Sequence, residues 1–179
     1  MYKKIPLFFI PDKLNYIEYY SNPRKVVYPS EKVSESMRLP HSSHRGIVDF
    51  LETPESEKIG LTLSLVDSDN LQYDINKFQF FNNSDKTNAE DILSFATYQI
   101  PFILHSDGAR ILMGSKNLKQ ALTLNKAEKP YIKTGKEKEN IGVNALIAYG
   151  LFEGYNFEDG IVVSESFAKR METIVRETE

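Results

Sequence analysis

The segment IPFILHSDGARILMGSKNLKQAL, residues 100–122, is the most informative part of the chain. We expect Ser106 to cap a helix over about Asp107–Leu122, because a serine side chain can accept hydrogen bonds from the free N–H groups of a first helical turn. Asp107 would then lie favourably at the positive end of the helix dipole. The segment therefore predicts a helix of about four turns.

This helix is predicted to carry an apolar face and a polar stripe. At 100° per residue the apolar face is formed by Ile111, Leu118 and Leu122, which indicates packing on a core. About a quarter-turn away lie Arg110, Asn117 and Gln120, with Lys116 beside them. With a rise of 1.5 Å per residue, Arg110 and Gln120 are roughly 15 Å apart, about the reach of two or three consecutive backbone phosphates.

Positive charge is concentrated in one stretch of an otherwise acidic chain. The whole sequence has a net charge of −3, whereas residues 107–138 contain eight basic and three acidic residues, a net charge of +5. The basic residues are Arg110, Lys116, Lys119, Lys126, Lys129, Lys133, Lys136 and Lys138. Such a stretch is the best place on the chain for a polyanion, although composition alone favours a solvated helix followed by a lysine-rich loop.

The composition excludes several classes of protein. With 179 residues, 41% of them hydrophobic, the chain can form a core. The absence of cysteine excludes disulfides, thiolate metal sites and a cysteine nucleophile. No apolar run approaches the roughly 20 residues of a membrane helix, and the run between Pro6 and Pro11 is too short for a signal peptide. We therefore expect a soluble chain of cytoplasmic type, without a membrane partner.

The order of predicted elements divides the chain at about residue 37. Residues 1–37 form a β-leaning lead-in, with short β-prone runs at Leu7–Ile10 and Lys25–Tyr28. In residues 38–179 we first expect a helix or strand at Ile59–Val66 and a turn at Asp67–Asn70. A half-buried strand at Leu71–Phe81, with a break near Asn76, should follow. A polar loop is then expected at Asn82–Asn88 and a helix at Ala89–Ile100. Further strands are expected at Val143–Tyr149, Ile161–Val163 and Thr173–Val175, and a short helix capped by Ser164 is expected to reach about Arg170.

Two acidic pairs are candidates for chemistry. Glu158 and Asp159 are adjacent in GYNFEDG, where a turn could bring both to one cation or to a metal-bound triphosphate. Glu52 and Glu55 flank Pro54, which stiffens their loop and would suit general acid–base work. A solvated turn and an exposed acidic loop remain the simpler interpretations of the two pairs.

The histidines and the glycine patterns give little evidence of a metal site or of a nucleotide-binding or hydrolase motif. His41 and His44 are three residues apart and could share a helical face, but a zinc site would need a third ligand, so hydrogen-bonding histidines in a loop are favoured. The GxxxxGK[ST], GxGxxG and GxSxG patterns are absent, which leaves no common nucleotide-binding or hydrolase fingerprint.

Five motifs occur in a fixed order: HSSHRG, ETPESEKIGLTLSL, the segment of residues 100–122, EKPYIKTG and GYNFEDGIVVSES. In this order, over about Arg38–Glu165, they resemble the β subunit of multisubunit DNA-directed RNA polymerase. The resemblance implies an α+β, β-rich fold: a partial double-psi β-barrel of the β-subunit type with short helices. Residues 38–179 would be the fork and hybrid-binding core, without the family's long flap insert.

The resemblance also assigns roles to residues. Arg110 would contact the triphosphate of the incoming nucleotide and Gln120 the RNA backbone. Other substrate- or nucleic-acid-binding candidates are Asp107, Lys116, Asn117 and Lys119 on the helix, and Glu52 and Glu55 in the fork loop. Glu158 and Asp159 would lie by the active centre, near the second Mg²⁺. We expect this acidic pair and Arg110 to converge on a shared pocket.

The chain departs from the family pattern at several positions. Ala109 stands where bacterial members have asparagine, and Ser56, Glu57 and Lys58 follow ETPE where the family has GPN. Only residues 136–141 replace the long insert. The triple-aspartate motif that holds the catalytic Mg²⁺ belongs to the partner β′ subunit and is absent here.

The expected function is therefore that of one part of a larger enzyme. The chain would position the incoming NTP, the RNA 3′ end and the RNA–DNA hybrid, while a β′-type subunit holds the catalytic Mg²⁺. Other polymerase subunits, the DNA template and the nascent RNA would be its partners, and the isolated chain would be inactive. The expected location is cytoplasmic and nucleoid-associated, with phage and plasmid genomes among the sources. The alternative is a non-catalytic, polymerase-derived module that binds nucleic acid or a polymerase.

Overall fold

The computed structural model describes residues 15–30, 32–77, 79–82 and 91–173. The expected strand at Leu7–Ile10 and nearly all of the expected loop at Asn82–Asn88 lie outside these residues. The start of the expected helix at Ala89–Ile100 and the end of the expected strand at Thr173–Val175 lie outside them too.

A three-stranded antiparallel sheet is formed by β1 (Lys25–Val27), β2 (Val48–Asp49) and β3 (Thr62–Leu65). β3 lies in the centre, where Ser64 pairs with Lys25 on one side and with Asp49 on the other. The segment at residues 59–66, for which helix and strand were both open, therefore forms a strand over Thr62–Leu65. The β-prone run near residue 25 is confirmed as well.

A separate hairpin is formed by β4 (Leu71–Asp74) and β5 (Gln79–Asn82). The Asp74 carboxylate accepts hydrogen bonds from the backbone N–H groups of Asn76 and Lys77, which closes the turn. The predicted single strand with a break near Asn76 is thus two antiparallel strands, and the break is their turn. The preceding turn at residues 67–70 is confirmed, with the Leu71 N–H donating to the Ser68 carbonyl.

The core lies where three helices meet: α1 (Tyr16–Ser21), α2 (Phe95–Tyr98) and α3 (Gly108–Gln120). Its centre consists of Ile17, Phe95 and Ala96, against which Tyr20, Leu118 and Ile141 pack. Asn15 caps α1 and donates from its side chain to the Leu118 carbonyl at 2.7 Å, so the start of α1 is fixed to the end of α3. The helix predicted at residues 89–100 is shorter than expected, because Ser94 caps it one residue before Phe95.

The start of α3 differs from the prediction by one residue. Asp107, not Ser106, is the N-cap, and its carboxylate accepts a hydrogen bond from the Ala109 N–H at 3.1 Å. A carboxylate caps as well as a hydroxyl and also interacts favourably with the helix dipole. Ile111 is buried and Leu118 packs on the core, as predicted, whereas Leu122 lies beyond the helix and is half exposed.

Residues 121–173 form one short helix and no extended strand. The helix is α4 (Glu165–Arg170), and Ser164 caps it as predicted by accepting from the Phe167 N–H. The strands predicted at Val143–Tyr149 and Ile161–Val163 are wrong, since neither segment pairs with another strand among the described residues. Single bridges join Leu124 to Thr173 and Glu128 to Gly142.

Two antiparallel sheets with a few short helices make an α+β chain, which confirms the coarse fold class. The described part holds more helical than strand residues, so it is less β-rich than expected. None of the helices in the described residues is long and apolar enough to cross a membrane.

Candidate nucleic-acid interface

The polar stripe predicted on α3 is exposed to solvent. Arg110, Lys116, Asn117 and Gln120 are all exposed. The Arg110 guanidinium contacts the Met113 Sδ at 3.3 Å. Neither Arg110 nor Lys116 forms an ion pair with any carboxylate among the described residues. One helix surface therefore presents two cations and two amides that are available to an anion.

Lys119 behaves differently from these four residues. Its Nζ lies 2.7 Å from an Oε1 of Glu52, 67 residues earlier in the chain, and its side chain is only 16% exposed. The Glu52 side chain is 4% exposed. Two residues that were both predicted to bind nucleic acid therefore bind each other.

Glu52 belongs to a buried polar network around the start of α2. The Ser94 hydroxyl donates to the other Glu52 carboxylate oxygen. Nearby, the fully buried Asp49 accepts from the Ser94 N–H at 2.8 Å and from the Thr97 hydroxyl at 2.7 Å. This network explains why Glu52 is buried in a loop that was predicted to be exposed, since its carboxylate is satisfied by partners from two helices.

A cleft of about 520 Å³ opens beside the C-terminal half of α3. Among the predicted site residues, Glu52, Lys116, Lys119 and Gln120 line it. Lys25 and Glu18 also line the cleft and pair with each other at 3.1 Å. With these two ion pairs formed, Lys116 is the cleft lysine that retains an uncompensated charge.

A second cleft, of about 300 Å³, lies at the N-terminal end of α3. Its lining is mostly apolar and includes Leu39, Phe50, Ile59 and Leu112. Arg110, Glu158 and Asp159 line neither cleft.

The remaining predicted acids are exposed. Asp107 caps α3, and Glu55 lies in a bend of the fork-like loop without a side-chain partner among the described residues. Glu158 and Asp159 occupy a turn with φ values of 49° and 66°, a left-handed conformation that few non-glycine residues adopt. No hydrogen bond, ion pair or described cleft joins this turn to Arg110, so their convergence on one pocket stays a prediction.

The lysines after α3 are partly engaged. Lys126, Lys129 and Lys133 are exposed. Lys138 pairs with Asp67 at 3.1 Å. Burial is the largest single effect on its pKa and lowers it, but the hydrogen bond to Asp67, the charge of Asp67 and the contact with Tyr20 together raise the pKa of Lys138. Only part of the +5 stretch is therefore free to attract a polyanion.

The donor groups for a metal ion are sparse. His41 and His44 lie at the two ends of a short 3₁₀ segment, and the His41 ring nitrogen Nδ1 is 2.8 Å from the Ser43 hydroxyl, which fits the hydrogen-bonding interpretation. No group of three or more metal-ligating side chains occurs in the described residues. Two exposed carboxylates at positions 158 and 159 do not make a complete Mg²⁺ site, so further ligands would have to come from phosphates or another subunit.

A polar cluster of Glu128, Asn144 and Arg170 was not predicted from the sequence. The Arg170 guanidinium lies 2.6 Å from Glu128, whose other oxygen accepts from the backbone and side chain of Asn144. These hydrogen bonds, led by that from Arg170, lower the pKa of Glu128 to about 2. The three residues are far apart in sequence, so no local pattern could have revealed the cluster.

Two family models match the chain, and both describe the same class of protein. RNA polymerase Rpb2, domain 3, matches residues 9–68, and RNA polymerase Rpb2, domain 6, matches residues 123–176. Curated relatives named DNA-directed RNA polymerase subunit beta match as well. That of Cyanidioschyzon merolae is 52% identical over 46 residues, or 26% of this chain and 4% of the relative. Those of Pseudothermotoga lettingae and Toxoplasma gondii are 37% and 39% identical over 44% and 47% of this chain, which is 6% and 8% of the relatives.

Over the matched segments, the chain is similar to the β subunits of DNA-directed RNA polymerase, which confirms the resemblance drawn from the five motifs. The chain spans less than a tenth of the length of these relatives.

Proposed function

We propose that the chain is a β-subunit part of a DNA-directed RNA polymerase and that α3 contacts the RNA–DNA hybrid and the incoming NTP. The observation that carries the proposal is the exposed stripe of α3, where Arg110 and Lys116 have no carboxylate partner in the described residues. The similarity to polymerase β subunits indicates which polyanions such a stripe would bind, namely the RNA–DNA hybrid and the NTP.

The role of the stripe is positioning and charge neutralisation. A guanidinium can bind two phosphate oxygens at once, which makes Arg110 suited to a triphosphate. Lys116 and Gln120 lie one to three turns further along and suit the RNA backbone. Holding a triphosphate in line with the RNA 3′ end lowers the barrier without any bond to the protein. A β′-type subunit would hold the Mg²⁺ that activates the 3′-hydroxyl.

An exposed apolar segment supports the proposal that the chain binds another protein. Residues 145–163 are exposed except for Asn156 and Gly160. The large apolar side chains among them are Leu146, Ile147, Tyr149, Leu151, Phe152, Tyr155, Phe157, Ile161, Val162 and Val163. So many exposed large apolar side chains in one segment are typical of an interaction surface. We infer that this segment, named the apolar segment below, pairs with strands of other polymerase elements to complete the double-psi β-barrel.

A second function, that of a non-catalytic module bound to nucleic acid or to a polymerase, is favoured by one observation. Glu158 and Asp159 share no contact and no described cleft with Arg110. The two functions differ when the β′-type subunit is added, because only the first predicts nucleotide incorporation by the assembled complex.

The proposal is tested by the salt dependence of binding of the 179-residue chain to a short fluorescent RNA–DNA hybrid. Each phosphate contact that a cation makes contributes about 0.9 to the slope of log K against log salt on duplex DNA. We expect Arg110→Ala and Lys116→Ala each to reduce the slope by roughly this amount.

Lys169→Ala is the matched control. Lys169 is an exposed lysine on another helix, paired with Glu165 at 2.7 Å, and its loss should leave the slope unchanged. A wild-type slope near zero, or equal losses for all three variants, would contradict a nucleic-acid interface on α3.

A further inference from the structure

The ion pair between Glu52 and Lys119 connects a loop to a distant helix. Glu52 follows β2, and Lys119 lies in the last turn of α3. Because both side chains are largely shielded from water, the pair is much less screened by salt than a surface pair.

Glu52 is itself held in place from the other side. Its second oxygen accepts from the Ser94 hydroxyl, and Ser94 is bound in turn by the buried Asp49. The Leu51 N–H also donates to Asp49, at 2.7 Å, so the loop that carries Glu52 is fixed at the residue directly before it. The carboxylate therefore has a defined position to which Lys119 is drawn.

The position of Lys119 on the helix gives this contact a consequence for α3. Nine residues separate Arg110 from Lys119, and at 100° per residue they lie about half a turn apart. An anchor on the Lys119 side fixes the rotation of α3 about its axis. Arg110 and Asn117 are thereby held on the exposed side.

We propose that Glu52 is a positioning residue for the nucleic-acid interface, a role that rests on the function proposed above. It withholds the Lys119 ammonium from the polyanion and fixes the rotation of α3, so that Arg110 and Lys116 supply the phosphate contacts. Lys119, which the sequence placed among the nucleic-acid ligands, then acts as the internal anchor of the helix.

The salt slope of hybrid binding separates this role from a direct one. Lys119→Met should leave the slope unchanged, because the slope counts phosphate contacts and the ammonium makes none. Loss of the anchor should instead weaken binding by the same factor at every salt concentration, because α3 must then be oriented on binding. Glu52→Gln should steepen the slope by about 0.9, because the released lysine can turn into the adjoining cleft and meet a phosphate. Glu57→Gln is the matched control: it removes the same charge from the same loop, at an exposed position outside the candidate binding residues, and should not change the slope.

If Glu52 served only the stability of the fold, Glu52→Gln would lower the Tm without steepening the salt slope of hybrid binding. A flatter slope for Lys119→Met, or an unchanged slope for Glu52→Gln, would overturn the positioning role.

A thermal double-mutant cycle tests the anchor without nucleic acid. Each single variant already breaks the ion pair, so Glu52→Gln combined with Lys119→Met should lower the Tm by less than the two separate losses added together. Additive losses would overturn the anchor. If the cycle shows coupling and the wild-type chain binds no hybrid, the proposed function fails and the positioning role falls with it. If the cycle shows coupling and the wild-type chain binds the hybrid, but the salt slopes of Glu52→Gln and Lys119→Met differ from those expected, only the positioning role is contradicted.

Discussion

Residues 91–122 and the apolar segment at 145–163 are similarly rich in apolar side chains but use them in opposite ways. In the first region Phe95 and Ala96 are almost completely buried, and α2 and α3 pack against α1. In the second region Leu146 and Tyr149 are almost fully exposed. The first region finds its packing partners within the described chain, whereas the second presents its apolar side chains to solvent.

The difference shows which kinds of structure a short stretch of sequence can specify. A helix closes its hydrogen bonds within its own residues, and a capping side chain is enough to mark where it begins. A strand needs a second strand to satisfy its backbone. The apolar runs at residues 143–149 and 161–163 have β-prone composition but no partner strand among the described residues.

The largest expected difference between the two regions is in the loss of stability when an aromatic ring is removed from each. Phe95→Ala should destabilise the chain by about 3–5 kcal/mol, because it leaves a cavity between α1 and α3. Phe157→Ala, in the apolar segment, should change the free energy of unfolding by no more than about 0.5 kcal/mol, because its side chain is 75% exposed. Urea denaturation of both variants measures the contrast. Equal losses would mean that the second region is packed in solution.

A smaller effect should appear with pH at the contact between Glu128 and Arg170, which joins the chain before the apolar segment to the chain after it. The hydrogen bond from Arg170 lowers the pKa of Glu128 from 4.5 to about 2 in the folded chain. Folding therefore favours the charged carboxylate, and its contribution to stability is present above pH 4.5 and is lost as the pH falls towards 2.

The Tm of wild type and of Glu128→Gln measures this contribution. Wild type should have the higher Tm above pH 4.5, and the difference should shrink as the pH is lowered to about 2. A difference that stays constant over this range would show that the Glu128–Arg170 contact does not form in solution.

Local signals predicted α3, α4 and the stripe of α3 well, whereas α1 lies in the lead-in that was expected to be β-leaning. Ser164 caps α4 as expected, Ile111 is buried, and Arg110, Asn117 and Gln120 are exposed together. The error at the start of α3, where Asp107 replaces Ser106 as the cap, is one residue, because both side chains can cap and only the backbone conformation decides between them.

The roles of Glu52 and Lys119 could not be predicted from the sequence. Each has the charge of a surface residue, and their pairing depends on a fold that brings together positions 67 residues apart. The Glu128–Asn144–Arg170 cluster was missed for the same reason.

The central claim is that the packed region presents a preformed cationic helix while the apolar segment awaits a protein partner. Hydrogen exchange of the full chain, alone and with the β′-type subunit of the same source, tests it most directly. We expect the amides of α3 to be protected in both states, and those of residues 145–163 to exchange rapidly in the free chain and at least about tenfold more slowly in the complex. Protection of residues 145–163 in the free chain, or unchanged rapid exchange in a complex that has formed, would contradict the claim.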